Sequence, residues 1–391
     1  MNIGLFTDTY FPQVSGVATS IKTLKEELEH KGHQVTIFTT TDPNAEEDEP
    51  TIIRLTSIPF LSFKDRRIAV SGAYVALRKA KKLNLDIIHT PTEFSVGFTG
   101  KYVANQLDIP LVHTYHTMYE DYLHYIAKGK ILRPNHVKLL SRYFCNQTVG
   151  VIAPSERVLN QLADYGVTES IEVIPTGVKL QKFERLENRN IRTELGLTQE
   201  DKVILSLSRL SKEKNTEAIL LAMPEIIKNE PNAKLIIVGK GPQRPTLDAL
   251  AAELEIEEYV QFLGEKPSEE VAGYYQMADL FVSASESESQ GLTYIEALAS
   301  GTSIIAKDNA YTRGLVGANE FGALFNQDEE LAETIISTLA TLNDQKNNEW
   351  KRQELLYDIS ATAFGERVLR FYEDSNRKYQ VETATHLNVA K

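Results

Sequence analysis

Short apolar runs alternate with longer helical patterns along the chain, the signature of parallel sheets covered by helices. NIGLFTD (2–8), a helix through TSIKTLKEELEHKG that closes at Gly32, and QVTIFTT (34–40) form one strand–helix–strand unit. DIIHT (86–90), PLVHTYH (110–116) and VGVIAPS (149–155) supply further strands. IEVIPTGV (171–178) interrupts the periodicity at Pro175 and Gly177 and marks a hinge. Beyond it, VILSLSRL (203–210), KLIIVGKG (234–241), VQFLGE (260–265), DLFVSAS (279–285) and TSIIAKD (302–308) are strands separated by helices. The pattern predicts an α/β protein of two doubly wound parallel-sheet domains, 1–178 and 179–364. The chain reads as helical from Asn347 to Tyr379, and its end, residues 365–391, is expected to pack back on the first domain.

A length of 391 residues accommodates two such domains, and 42% apolar with 25% charged residues is ordinary for a globular protein. No basic leader precedes the first apolar run, and charge interrupts every apolar stretch before the ~20 residues that a spanning helix needs. The expectation is neither secretion nor a membrane span. A single cysteine, Cys145, fits a reducing cytoplasm.

Charge is unevenly placed. Residues 1–180 hold 19 Lys+Arg and 19 Asp+Glu, and the remainder 23 and 35, so the net −12 lies in the second half. Within the neutral half, residues 54–82 carry eight bases (Arg54, Lys64, Arg66, Arg67, Arg78, Lys79, Lys81, Lys82) against Asp65. Residues 128–142 add Lys128, Lys130, Arg133, Lys138 and Arg142 with no acid. Such clusters seek anions, either nucleic acid or an anionic lipid surface. Phe60, Leu61 and Phe63 beside Lys64, Arg66 and Arg67 set apolar anchors against cations, which reversible membrane attachment requires. Ile131, Leu132, Leu139, Leu140 and Phe144 repeat the pattern in the second segment. Amphipathic helices with solvated lysines are the plainer reading of each segment taken alone.

Ligands of doubly wound folds sit at the carboxyl ends of the strands, and the distinctive residues follow strands. In SLSRLSKEKN, Arg209 and Lys214 come between a strand and a helix, where backbone N–H groups and the helix dipole also favour an anion. The pair reads as a phosphate clamp, or, taken alone, as two solvated bases on a polar turn. In VGKGP (238–242), Gly239 and Gly241 permit close approach to the backbone or simply make a tight turn. In SESESQGLTYIEALASG (285–301), Gly291 precedes a helix over Thr293–Ala299, so the N–H groups of Gln290, Gly291 and Leu292 would point at an anion. Glu288 and Glu296 straddle that helix start; capping accounts for Glu288 more easily than for Glu296.

In that order along the chain, RLSKEK (209–214), VGKGP and the Glu-x7-Glu run ESQGLTYIE (288–296) resemble retaining glycosyltransferases of the GT-B fold, group 1 or family four type. The resemblance covers most of the chain and implies two Rossmann-like domains facing a central cleft. It implies that Arg209 and Lys214 bind a nucleotide diphosphate, that Glu288 contacts the donor sugar, and that Glu296 holds the ribose hydroxyls. FTDTYFPQVSGVATSI (6–21) resembles the family's first-strand turn, with Gly16 matching the glycine that approaches the diphosphate and Ser15 standing where a second glycine is usual. His116 matches a histidine near the reacting sugar; on its own it reads as a core histidine. With YEDYLHY (119–125) and the basic segment after it, the N-terminal half is most similar to bacterial diacylglycerol glucosyltransferases. That similarity implies transfer of glucose from UDP-glucose to diacylglycerol with retained configuration, a step of glycolipid and lipoteichoic acid anchor synthesis. It also implies an enzyme attached peripherally to the inner face of the cell membrane. A second sugar added to monoglucosyl diacylglycerol, or another nucleotide sugar, stays open, as does the oligomeric state.

No Asp-x-Asp motif occurs, so an obligatory divalent metal is not indicated, and His113, His116 and His124 read poorly as a zinc site. Two other classes compete. A hydrolase would need its paired carboxyls ~5 to 9.5 Å apart, whereas eight helical residues separate Cα atoms by about 12 Å, and it leaves the clamp unexplained. A nucleic-acid or nucleotide-binding module fits the basic segments, but the acidic half would repel a polyanion. The expected partners are therefore a UDP-sugar, a lipid acceptor and an anionic membrane, without nucleic acid.

Overall fold

The computed structural model describes residues 1–13, 15–45, 50–60, 63–116, 134–184, 190–285, 291–317, 321–342 and 349–389. The chain forms two compact units, Met1–Gly177 together with Ala361–Lys391, and Val178–Ser360. The backbone thus passes between them at Gly177/Val178 and again at Ser360/Ala361.

The first unit holds β1 (Asn2–Phe6), β2 (Gln34–Thr40), β3 (Ile52–Leu55), β4 (Ser57–Phe60), β5 (Phe63–Ala69), β6 (Ile87–Thr90), β7 (Leu111–Thr114), β8 (Gly150–Ala153) and β9 (Ile171–Val173). Seven form one parallel sheet in the order β3-β2-β1-β6-β7-β8-β9. Successive residues point to opposite faces, so each strand feeds two cores. Ile3, Leu5, Ile37, Ile87 and Val112 meet Leu24 and Leu28 of the helix Gly16–His30 on one side. Phe6, Phe38 and Ile88 meet Leu77 and Val103 on the other, with the Phe6 and Phe38 rings stacked at 4.2 Å. The C-terminal helix Ala361–Val389 packs on the first of these faces through Phe364, Val368 and Tyr372. Tyr372 Oη lies 2.6 Å from Nδ1 of the buried His89, whose Nε2 is 2.7 Å from Thr114 Oγ1. Lys378 adds a bond to the carbonyl of Val149 at 2.8 Å.

The second unit holds β10 (Lys202–Leu207), β11 (Ala233–Val238), β12 (Val260–Gly264), β13 (Leu280–Ser283), β14 (Ser303–Lys307) and β15 (Gly322–Phe325), all parallel, in the order β12-β11-β10-β13-β14-β15. Its two faces are likewise covered, one by a core around Leu205, Ile236, Phe281 and Ile304, the other by one around Ile204, Leu235, Val282 and Ile305. Two parallel-sheet α/β units are what the alternating pattern predicts. Among the described residues, no helix is long and apolar enough to cross a membrane.

The differences are local. The first helix begins at Gly16, a turn earlier than the Thr19 start read from the pattern, because Ser15 caps it: its Oγ accepts from the Ala18 N–H at 3.1 Å. Residues 57–69 pair as an antiparallel hairpin, β4 with β5, so an amphipathic helix does not apply there. Residues 134–145 are helical. Phe144, expected among the exposed apolar anchors, is fully buried instead, its ring edge-on to those of Phe98 and His113.

Candidate functional site

In the second unit the strand order reverses at β10, which has β11 on one side and β13 on the other. Loops leaving the carboxyl ends of strands at such a reversal part and leave a crevice for a ligand. Both charged motifs arrive there. The segment 208–215 leaves β10, and the helix Leu292–Ala299 is reached from β13. A direct bond ties the two, with Ser285 Oγ donating to the carbonyl of Glu213 at 3.4 Å. Arg209 is exposed at the end of β10, and half-buried Lys214 closes the single 3-10 turn Lys212–Lys214.

The helix Leu292–Ala299 springs from Gly291, whose φ of 69° lies in the left-handed region where only glycine sits without strain. No described side chain caps this end, and the first N–H groups of a helix have no partner within it. A turn further on, Glu296 Oε2 accepts the hydroxyl of Tyr275 at 3.0 Å. Tyr275 is fully buried, its ring met by Phe183 and Phe281, so it fixes the carboxylate through Oε2. Burial raises the Glu296 carboxyl to about 7, against the opposing pull of the Tyr275 hydrogen bond and of Lys182. Glu286, Glu288 and Gln290 lie outside the described residues.

Gly239 and Gly241 have a packing reason of their own. A Cβ at Gly239 would sit 1.9 Å from the Ser208 carbonyl oxygen, and one at Gly241 2.2 Å from that of Leu210. The bare backbone lets the loop after β11 lie flat on the loop after β10, with Leu210 N–H donating to Lys240 at 3.0 Å. The turn therefore braces the segment that carries Arg209.

In the first unit the order reverses at β1, between β2 and β6. Gly16 is exposed at the start of the helix that follows β1. Asp8, buried at the same edge, accepts from Thr92 Oγ1 at 2.8 Å, Ser95 Oγ at 2.5 Å and Val96 N–H at 2.9 Å, and so caps the helix Ser95–Leu107. Burial nevertheless lifts its carboxyl above the usual range. His116 stands just past β7 and keeps partial exposure. The protein packed around it depresses its imidazole to about 4, so at neutral pH it is an uncharged hydrogen-bonding group. His113 is a core residue: Nδ1–H donates to the Thr90 carbonyl at 2.5 Å, and burial holds it to about 3. Among the described residues, no group of three or more His, Cys, Asp or Glu side chains is placed to hold a metal ion.

The basic segments divide by what their side chains touch. Arg54 is occupied with the carbonyls of Thr40 and Phe11 at 3.0 and 2.8 Å. Arg67 binds Ser57 twice, at Oγ 2.9 Å and at the carbonyl 2.8 Å, locking the hairpin. Phe60 is half-buried; Phe63, Lys64 and Arg66 belong to β5, with side chains outside the described set. Lys128, Lys130 and Arg133 also lie outside it, as does His124. Arg78, Lys79, Lys81 and Lys82 are exposed on the helix Ala73–Leu83, near exposed Tyr74 and Val75. Motif reading passed over Phe94, Phe98 and Tyr102, spaced by four residues along the start and body of the helix Ser95–Leu107 and exposed by 45%, 38% and 42%. Leu139 and Tyr143 extend this surface from the helix Pro134–Cys145, with Lys101 4.5 Å over the Tyr143 ring and Phe98 edge-on to Phe144.

Comparison with known proteins identifies what such an arrangement belongs to. Residues 14–182 match Glycosyltransferase Family 4, and residues 187–355 match Glycosyl transferases group 1. An alpha-monoglucosyldiacylglycerol synthase of Streptococcus pneumoniae is 51% identical over 381 residues, 96% of this chain and 86% of that protein. The chain belongs to the group 1 glycosyltransferases. A second alpha-monoglucosyldiacylglycerol synthase, from Acholeplasma laidlawii, is 34% identical over 97% of this glycosyltransferase and 99% of its own length. In fold the glycosyltransferase matches Anabaena Alr3699/HepE, solved in complex with UDP-glucose, at a TM-score of 0.73 and 18% identity, covering 95% of this chain and 99% of that one. At that identity the likeness speaks for the GT-B fold alone.

Proposed function

We propose that this glycosyltransferase moves glucose from UDP-glucose to the free hydroxyl of diacylglycerol, with the anomeric configuration retained, while attached to the inner face of the cell membrane. The observation that carries the reading is the 51% identity, over 96% of the chain, to an alpha-monoglucosyldiacylglycerol synthase. In this reading Val178–Ser360 is the donor unit and the remainder receives the lipid.

As the sugar–phosphate bond breaks, negative charge grows on the leaving diphosphate and positive charge on the sugar. Arg209, Lys214 and the backbone N–H groups of Gly291 and Leu292 stabilise the first, because they are held in place before the charge develops. Glu296 accepts a ribose hydroxyl through the oxygen that Tyr275 does not use. By the family resemblance, Glu288 and the neutral His116 are assigned to the sugar and Gly16 to the diphosphate. The acceptor attacks from the face the leaving group departs, and a phosphate oxygen takes its proton. No metal is assigned a part.

Membrane attachment rests on the exposed surface of the first unit. The cations of the helix Ala73–Leu83 and the aromatic and apolar groups of the helices Ser95–Leu107 and Pro134–Cys145 combine charge attraction with shallow apolar insertion. Lys64, Arg66, Lys128, Lys130 and Arg133 join this surface by sequence position, with Phe60 and Phe63 as hairpin contacts, whereas Arg67 serves the hairpin itself. A radiolabelled assay crossing UDP-glucose, UDP-galactose and GDP-mannose with diacylglycerol and monoglucosyl diacylglycerol tests the assignment. Label is expected to enter lipid only from UDP-glucose into diacylglycerol; preference for monoglucosyl diacylglycerol or another donor would replace it with the second-step or other-sugar reading.

A further inference from the structure

The donor clamp depends on one unusual backbone position. Lys214 ends a single 3-10 turn, and the next residue, Asn215, takes φ 49° and ψ 41° before the helix Thr216–Asn229 begins. Residues other than glycine occupy this region at a cost, and asparagine tolerates it best when its side chain finds a local partner. Here the partner is remote. Asn215 Nδ2 donates to Asp328 Oδ2 at 2.8 Å, and the other oxygen of that carboxylate receives Lys307 Nζ at 3.3 Å. Lys307 closes β14, and Asp328 follows β15. The latch therefore joins the loops leaving three strands of one sheet, while Ser285 holds the same turn from β13 through the Glu213 carbonyl. Neither Asp328 nor Lys307 belongs to the charged motifs described above.

We propose that Asp328 is a positioning residue for the donor diphosphate: through Asn215 it sets the turn that aims the Lys214 ammonium. The proposal rests on the reading of Lys214 as a phosphate clamp and adds what holds the clamp in place. A charged carboxylate fixed by Lys307 gives Asn215 one acceptor in one orientation, and the turn then has one register. Without it, the left-handed position relaxes and Lys214 samples several directions.

The test is a double-mutant cycle read by UDP titration on the full chain, with melting temperature and the KM for each substrate measured alongside. Asp328→Ala is expected to weaken UDP about tenfold and raise the KM for UDP-glucose, leaving the KM for diacylglycerol unchanged. In the Lys214→Ala background the same change is expected to have no further effect. Asn215→Ala, which removes the amide and disfavours the left-handed turn, should match Asp328→Ala, whereas Asn215→Gly, which keeps the turn without the amide, should weaken UDP less. Asp328→Asn, which keeps an acceptor and loses the charge facing Lys307, should fall between. Equal weakening in both backgrounds, or none in the wild-type background, would overturn the latch and leave the clamp standing. Unchanged UDP affinity in Lys214→Ala alone would contradict the clamp reading itself.

Discussion

Glu296 is the residue whose protonation state the site exposes most directly. Its carboxyl is held near 7 by burial, and only the ionised form can accept both the Tyr275 hydroxyl and a ribose hydroxyl. Binding therefore favours the ionised form, and UDP-glucose, whose phosphates do not titrate in this range, should bind more tightly as pH rises from 6 to 8. Calorimetric titration is expected to show that gain, with proton release, in the wild type and a flat profile in Glu296→Gln; parallel profiles would contradict the role. Tyr275→Phe removes the hydrogen bond that, with Lys182, lowers this carboxyl, so its profile should shift to higher pH. Lys214→Ala is expected to lower the transfer rate by roughly 10²- to 10³-fold, as loss of a preorganised charge stabiliser does, with circular dichroism unchanged. Arg209, Lys214, Gly291 and Glu296 could be proposed from the sequence because each motif keeps its residues close together. Tyr275 could not, since it reaches Glu296 across 21 residues. Asp328 reaches Asn215 across 113 and meets it only because of the sheet order.

At the scale of elements, the alternation of apolar runs with helical periods carries the parallel sheets but misses strands too short or too charged to show it. β15 has four residues, and β5, FKDRRIA, has no clean alternation because its chemistry is dominated by charge. Helix starts are set by caps more than by periodicity: Ser15 fixes the first helix a turn before its apolar pattern becomes evident. Ser15→Ala should cost about 1 kcal/mol, read by denaturant unfolding. The two glycine turns should respond differently. Gly291→Ala meets backbone strain of about 1–2 kcal/mol, whereas Gly239→Ala also drives its Cβ to 1.9 Å from the Ser208 oxygen. The larger loss of stability is therefore expected at Gly239, and the reverse ranking in thermal unfolding would remove the packing argument for that turn.

For the molecule as a whole, the charge asymmetry visible in the sequence persists, but its cations are not equivalent. Arg54 and Arg67 hold backbone, while Arg78, Lys79, Lys81 and Lys82 face solvent on one helix. Each exposed cation near an anionic surface contributes about 1 kcal/mol, so replacing these four by glutamine should lower vesicle binding by roughly two to three orders of magnitude at low salt. Sedimentation with vesicles that does not change would count against that helix as an attachment surface. The central claim concerns the bond made. Its most direct measurement is the structure of the lipid formed from UDP-glucose and diacylglycerol vesicles, with the anomeric configuration read by proton NMR. The account predicts α-glucosyl diacylglycerol; a β-linked product, or glucose released to water with no glycolipid formed, would contradict it.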